Sequence, residues 1–281
     1  PVVPWVETVH ERVNLEILRG CTRGCRFCQA GMIHRPARTR SAERVLELSE
    51  ANYRATGYDQ VALSSLSSSD HPDLEKILQE CCERFESRYV DLSLPSLRVS
   101  DQLSLLPKYL SKVRKSGLTV APEAATQRLR AVINKDISEE DLIAGATAAY
   151  REGWQHLKLY FMVGLPTETD EDVRRIVDLC NRVSDTRKEV SNGPGKVNVT
   201  VSTFVPKPHT PFQWEPMIPL DEITRRRGLI LEQDPPGRIR FKFHTAERSF
   251  LEGALARGDR RLGRVIERVA RNGGQLEAWD D

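Results

Sequence analysis

Residues 13–28 read VNLEILRGCTRGCRFC. Val13, Leu15 and Ile17 alternate with Asn14 and Glu16, the two-residue period of a half-buried strand, so 13–19 is expected to be a β-strand. Gly20 ends it, and Cys21, Cys25 and Cys28 then fall within eight residues. In a βα protein, the loop after a strand lies on the rim where active sites are built. The fold depends on whether the βα unit repeats.

It repeats through residue 204. Strand-like segments are expected at 59–65, 89–94, 118–122, 156–163 and 197–205, and with the first they make six. Between them, apolar residues at three- and four-residue spacing predict helices near 41–56, 71–86, 101–115, 126–132 with 138–152, and 169–190. Ser41 and Ser138 precede acidic first turns, as N-caps do. Alternating strands and helices indicate a parallel sheet or barrel. Six units are too few for the eight-unit barrel, and no Gly-x-Gly-x-x-Gly follows the first strand, which disfavours a dinucleotide fold. The expected architecture is α/β: a partial (β/α)6 TIM-like barrel over 12–215. A small, mainly helical C-terminal extension over 216–281 follows, with a strand near 238–244. The Pro-rich segment 205–219 marks the change.

Composition narrows the class. The chain has 281 residues, 42 Lys+Arg against 40 Asp+Glu, and mean hydropathy −0.46. No apolar run approaches the roughly 20 residues of a membrane span, so membrane and secretory classes are excluded and a cytoplasmic location is expected. Pro1 stands where an initiator methionine would, and the chain is expected to be a piece of a longer polypeptide. The near-neutral balance hides an asymmetry: residues 238–271 hold ten Lys/Arg against four acids. Such an excess either attracts phosphates or forms a solvated helical face.

Three thiols this close together do not suit disulfide geometry and would leave one unpaired. As metal ligands they can hold three irons of a [4Fe–4S] cluster and leave the fourth without a protein ligand. An open position is what makes a metal site chemical. Gly20 and Gly24 allow the backbone to wrap closely, with amides donating to the sulfides. The alternative is a Cys3His zinc site with His34, although zinc ligands usually come as two separated pairs. Cys81 and Cys180 lie in apolar helical stripes with Cys82 at the border of the first, and all three are expected in the core.

Cys-x3-Cys-x2-Cys with Phe27 before the last cysteine, after strand one of a six-unit βα pattern, resembles the motif of the radical SAM superfamily. The resemblance implies that Cys21, Cys25 and Cys28 hold a [4Fe–4S] cluster whose unique iron is chelated by the amine and carboxylate of S-adenosylmethionine (SAM). An electron from a flavodoxin- or ferredoxin-type donor then cleaves SAM to methionine and a 5′-deoxyadenosyl radical, which takes a hydrogen atom from substrate. Phe27 would pack near the adenine.

Further positions follow one by one. Where the superfamily places a Gly-Gly-Glu-type motif for the methionyl amine, this chain has Ser64-Ser65-Leu66-Ser67-Ser68-Ser69-Asp70, so Ser65, a neighbouring hydroxyl or Asp70 would supply that contact; a Ser-rich N-capping turn explains the same residues. Glu123, after strand four, would meet the SAM ribose or amine, or else cap a helix. Arg98 and Arg128 are candidates for the SAM carboxylate, each with a structural acid as the alternative partner. Gly164 in Gly164-Leu165-Pro166-Thr167-Glu168 would let the ligand approach, and backbone at Phe204 and Val205 would bond the adenine. Lys207, His209 and Trp214 would face the barrel mouth or pack the tail. The segments 121–130, 204–214 and 249–261 resemble a group in which such a core follows a cobalamin-binding-like domain, so cobalamin would enter through a flanking domain outside these residues. The expected function is radical SAM chemistry on an unidentified substrate. Alternatives are methylthiolation or methylation of tRNA or a ribosomal protein, with RNA contact through the basic tail, and a non-catalytic zinc module.

Overall fold

A computed structural model of the chain describes residues 3–6, 8–94, 118–233 and 238–274. The first strand, β1 (Val13–Glu16), pairs in parallel with β2 (Gln60–Ser64), and β2 with β3 (Asp91–Ser93). A second sheet runs β4 (Leu118–Glu123), β5 (His156–Val163), β6 (Lys196–Thr203) and β7 (Ile239–Phe243), again all parallel. Parallel neighbours require a crossover, and helices supply it: α2 (Ala42–Thr56) and α3 (Leu74–Phe85) on the first sheet, and α5 (Glu139–Arg151) and α6 (Asp170–Asp185) on the second. Two short helices lie at the rim, α1 (Gln29–Ile33) and α4 (Gln127–Val132). Two parallel, helix-covered sheets agree with the expected partial TIM-like barrel.

The expected strands appear with small changes of boundary. The predicted 13–19 strand stops at Glu16; Leu18–Arg19 then pairs antiparallel with Arg38–Thr39, closing the cysteine loop at its base. The expected helix at 101–115 lies outside the described residues. The tail contributes more than helices, because β7 adds to the second sheet beside β6. Helix α7 (Leu220–Leu231) packs against α6, and α8 (Ala246–Arg257) against α7 and β6, whereas α9 (Leu262–Arg271) has no buried residue.

Period-2 burial explains the layers. In β5, Leu157, Leu159, Phe161 and Val163 are buried in one cluster with Val197, Val199 and Val201 of β6 and Val173, Ile176, Cys180 and Val183 of α6. Val13, Leu15, Val61 and Leu63 form the equivalent core with Ile77, Leu78, Cys81 and Phe85 of α3. Cys81 and Cys180 are thus core residues as expected, and burial pushes the Cys81 thiol up to about 12. Capping boxes fix the starts of α5 (Ser138 with Asp141) and α6 (Thr169 with Asp172). Among the described residues no helix is long and apolar enough to cross a membrane.

Candidate functional site

The cysteine loop leaves the sheet at Gly20, whose φ is +85°. A Cβ there would stand 2.5 Å from the carbonyl oxygen of His34 and 3.1 Å from the Cα of Ala37, so only glycine permits the loop to close on itself. Cys28 is the N-cap of α1, and its Sγ accepts the Gly31 amide at 3.4 Å. The Arg23 amide donates to Cys21 Sγ at 3.4 Å. Backbone donors therefore already point at two of the three sulfurs, as they do around thiolate ligands.

A segment more than a hundred residues away clamps this loop. The Arg26 amide donates to the Ile133 carbonyl at 2.9 Å, and its guanidinium to the carbonyls of Ala131, at 3.1 Å, and Val132. Asn134, in a left-handed conformation, donates from Nδ2 to the Gly24 carbonyl at 2.9 Å. On the other flank, Thr22 Oγ1 donates to Asp70 at 2.6 Å and Arg23 pairs with the same carboxylate at 3.3 Å. Both oxygens of Asp70 thus hold the loop, a role not expected from the sequence.

Glu123 ends β4 at an irregularity in the β4–β5 register, with φ +68°. A non-glycine residue in that region is strained, and such strain persists where surrounding contacts over-determine it. Here the contacts are visible. The fully buried guanidinium of Arg130 donates to the carbonyls of Ala124, at 3.1 Å, and Ala125, at 2.9 Å, locking the turn directly after Glu123. The ammonium of Lys135 lies 3.6 Å from the Glu123 carboxylate. Burial pushes that carboxyl up, and Lys135 pulls it back. The Cys25 thiol is likewise raised by burial and lowered by Lys135, and it senses Cys28, Cys21 and Glu123 in turn. One small region therefore joins Cys25, Glu123 and Lys135. Sequence inspection missed Arg130, Asn134 and Lys135; the polar run Asn134-Lys135-Asp136 after a short helix reads as an ordinary connection.

The remaining expected residues divide. Phe27 packs with Met162, Leu165, Phe204 and Phe212 in an apolar cluster above the strand ends. Ser65 exchanges a hydrogen bond with Ser68 at 2.8 Å between their hydroxyls. The Arg128 guanidinium pairs with the buried carboxylate of Asp172 and donates to the Thr167 hydroxyl and carbonyl. Gly164, at φ +85°, has a reason to be glycine other than ligand approach, because a Cβ would meet Ile218 at 2.8 Å. Its amide donates to Glu168 at 2.6 Å; burial pushes the Glu168 carboxyl up to about 7 against that bond and the Arg226 guanidinium. Val205 is buried, and the Phe204 amide is used within the sheet, donating to the Val163 carbonyl at 2.8 Å. Lys207 pairs with Glu252 of α8, whereas Trp214 is 82% exposed. Arg98 lies outside the described residues.

The donor set fits a multi-iron cluster. The three cysteines are free and partly buried, on one loop beside a cation. Among the described residues no group of three or more His, Cys, Asp or Glu side chains is gathered as a metal-ion site in this structure. His34 is exposed.

A family model described as the radical SAM superfamily matches residues 15–180. An uncharacterized protein of Methanocaldococcus jannaschii, MJ0966, is 34% identical over 254 residues, covering 90% of this chain and 53% of its own length. The chain thus spans about half the length of that relative. Among solved structures, the radical S-adenosylmethionine methyltransferase TsrM from Kitasatospora setae, with cobalamin and a [4Fe-4S] cluster bound, is 16% identical; the match covers 71% of this chain and 38% of that one, with a TM-score of 0.54. Coproporphyrinogen III oxidase (HemN) from Escherichia coli is 14% identical, with 79% and 51% covered and a TM-score of 0.50. At these identities the structural likeness is one of fold.

Proposed function

The chain belongs to the radical SAM superfamily, and on that premise we propose that it is the catalytic core of an enzyme that binds a [4Fe–4S] cluster through Cys21, Cys25 and Cys28 and cleaves SAM on it. The observation that carries this is the junction of Cys25 with Glu123 and Lys135, which brings the cysteine loop against the end of β4. When bound, the cluster and SAM would supply one-electron cleavage of the sulfonium, giving methionine and a carbon radical that takes a hydrogen atom from substrate.

The protein's own part is positioning. Gly20 and the 130–135 segment hold the three thiols on one side of the rim. Glu123, strained and half-enclosed, offers a carboxylate to the amine or ribose of SAM, and Lys135 offers a cation to its carboxylate. Phe27, Met162 and Leu165 supply an apolar bed suited to an adenine. A flavodoxin- or ferredoxin-type donor would deliver the electron. The likeness to TsrM leaves the final reaction open, and cobalamin would require residues outside this chain.

Anaerobic reconstitution with iron and sulfide tests the proposal. The expected product is a brown protein absorbing near 400 nm that converts SAM to 5′-deoxyadenosine when reduced, with Cys25→Ala abolishing both properties. A colourless protein holding one zinc per chain would overturn it, as would 5′-deoxyadenosine from the Cys25→Ala protein.

A further inference from the structure

The second sheet has two unlike faces. One packs its apolar residues against the helices; the other carries Thr119, Lys158, Asn198 and Arg240 in one row and Tyr160, Thr200 and Lys242 in the next. The register is explicit: Lys158 is opposite Asn198 and Asn198 opposite Arg240, while Tyr160 is opposite Thr200 and Thr200 opposite Lys242. Lys158, Arg240 and Lys242 are exposed, and among the described residues none of them has an ion-pair partner. The strand positions on this face hold one carboxylate, Glu123, at the upper edge and already beside Lys135.

Such a face is not a self-filled barrel interior, which is normally packed with branched apolar side chains. Lysine is also disfavoured in strands, and Arg240 and Lys242, two residues apart on the same face of β7, repel each other. A bound anion relieves that repulsion, with Asn198, Thr200 and Tyr160 as neutral donors between the cations. Adjacent strands stand about 4.8 Å apart and every second residue rises about 6.6 Å, so the three cations outline a patch roughly 10 Å wide and 7 Å high. That is the size of a small molecule. The face also runs up to the cysteine loop: Met162, two residues beyond Tyr160 on β5, packs with Phe27.

We propose that this face binds a small polyanion, carrying two or more phosphate or carboxylate groups, and presents it to the cysteine loop as the substrate. Calling the anion a substrate rests on the proposed function; its binding by Lys158, Arg240 and Lys242 does not. Extended RNA fits worse, because at the upper end of the face Phe27 of the cysteine loop packs against the cluster that holds Met162.

Inorganic tripolyphosphate and citrate, titrated by calorimetry at low ionic strength against the full-length reconstituted protein, test this. At least one should bind, and the tighter of the two assigns phosphate or carboxylate. The triple variant Lys158→Gln/Arg240→Gln/Lys242→Gln should bind it at least tenfold more weakly, while Arg264→Gln/Arg268→Gln/Arg271→Gln in the basic tail should bind as the parent does. If the triple variant does not fold, Lys158→Gln should weaken binding several-fold and Lys158→Arg restore it. Equal binding by parent and triple variant, loss only in the tail variant, or binding of an RNA oligonucleotide with neither small anion would each overturn the proposal. A protein that binds the anion through the three cations yet never cleaves SAM would overturn the proposed function and leave the anion site standing.

Discussion

Glu123 and Lys135 face each other at 3.6 Å beside the cysteine loop, and both act on Cys25. The pair is partly buried, and removing one partner from such a pair leaves the other charge uncompensated. Lys135→Met is expected to cost about 1–2 kcal/mol, less than a fully buried pair because water reaches Lys135. Glu123→Gln in the same protein should recover part of that loss. Urea unfolding of the two single variants and the double variant gives the coupling energy; a value indistinguishable from zero would show that the two residues are merely adjacent.

Gly20 and Gly57 both have positive φ, but they differ in the space around them. A Cβ at Gly57 would meet nothing within 4 Å, whereas at Gly20 it would strike the His34 carbonyl. Gly57→Ala should therefore cost only the left-handed strain, about 1 kcal/mol. Gly20→Ala should cost about 3 kcal/mol or more, since backbone must move as well, and cluster uptake should fall with it. Equal losses in the two variants would refute the packing role of Gly20.

Arg130 is fully buried and spends its donors on Ala124, Ala125 and Gln127. Arg130→Met keeps the stem but leaves two carbonyls without donors, which should cost about 2–4 kcal/mol. Because those carbonyls follow Glu123, the variant should also bind SAM at least several-fold more weakly in equilibrium dialysis. A stability loss with unchanged SAM affinity would confine Arg130 to a structural role.

Glu222 bridges Arg225 and Arg226 on α7, and hydrogen bonds from Arg225 and then Arg226 hold its carboxyl down to about 2. A carboxyl lower in the folded than in the unfolded chain stabilises fully above its unfolded value, near 4.5, and the contribution is lost as pH falls toward 2. Glu222→Gln should lower stability by about 1 kcal/mol at neutral pH. The gap between variant and parent should close between about pH 4.5 and 2, which thermal melts over that range will show. A gap that stays constant with pH would mean that the loss comes from packing instead.

Most of the strands and helices were legible because their signals are local. Alternation marks β5 from His156 to Val163, and Ser138 with Asp141 announces α5. The cysteine loop was legible for the same reason, its three thiols being contiguous. From sequence alone Asp70 and Arg128 could each serve a ligand or the chain itself; in the structure Asp70 accepts from Thr22 and Arg23, and Arg128 pairs with Asp172. A carboxylate or guanidinium beside a motif looks alike in sequence whether it meets a ligand or its own chain.

By itself the sequence determined the superfamily, the βα order and the three-cysteine motif, since these depend on periodicity and on spacing within a few residues. Tertiary structure alone decided what surrounds the thiols. Arg26 meets Ala131 and Asn134 meets Gly24 across more than a hundred residues, and Lys158 aligns with Arg240 only through strand register. Such contacts follow from how two sheets and their crossovers pack, and no local pattern of residues encodes which distant side chains a closed fold brings together.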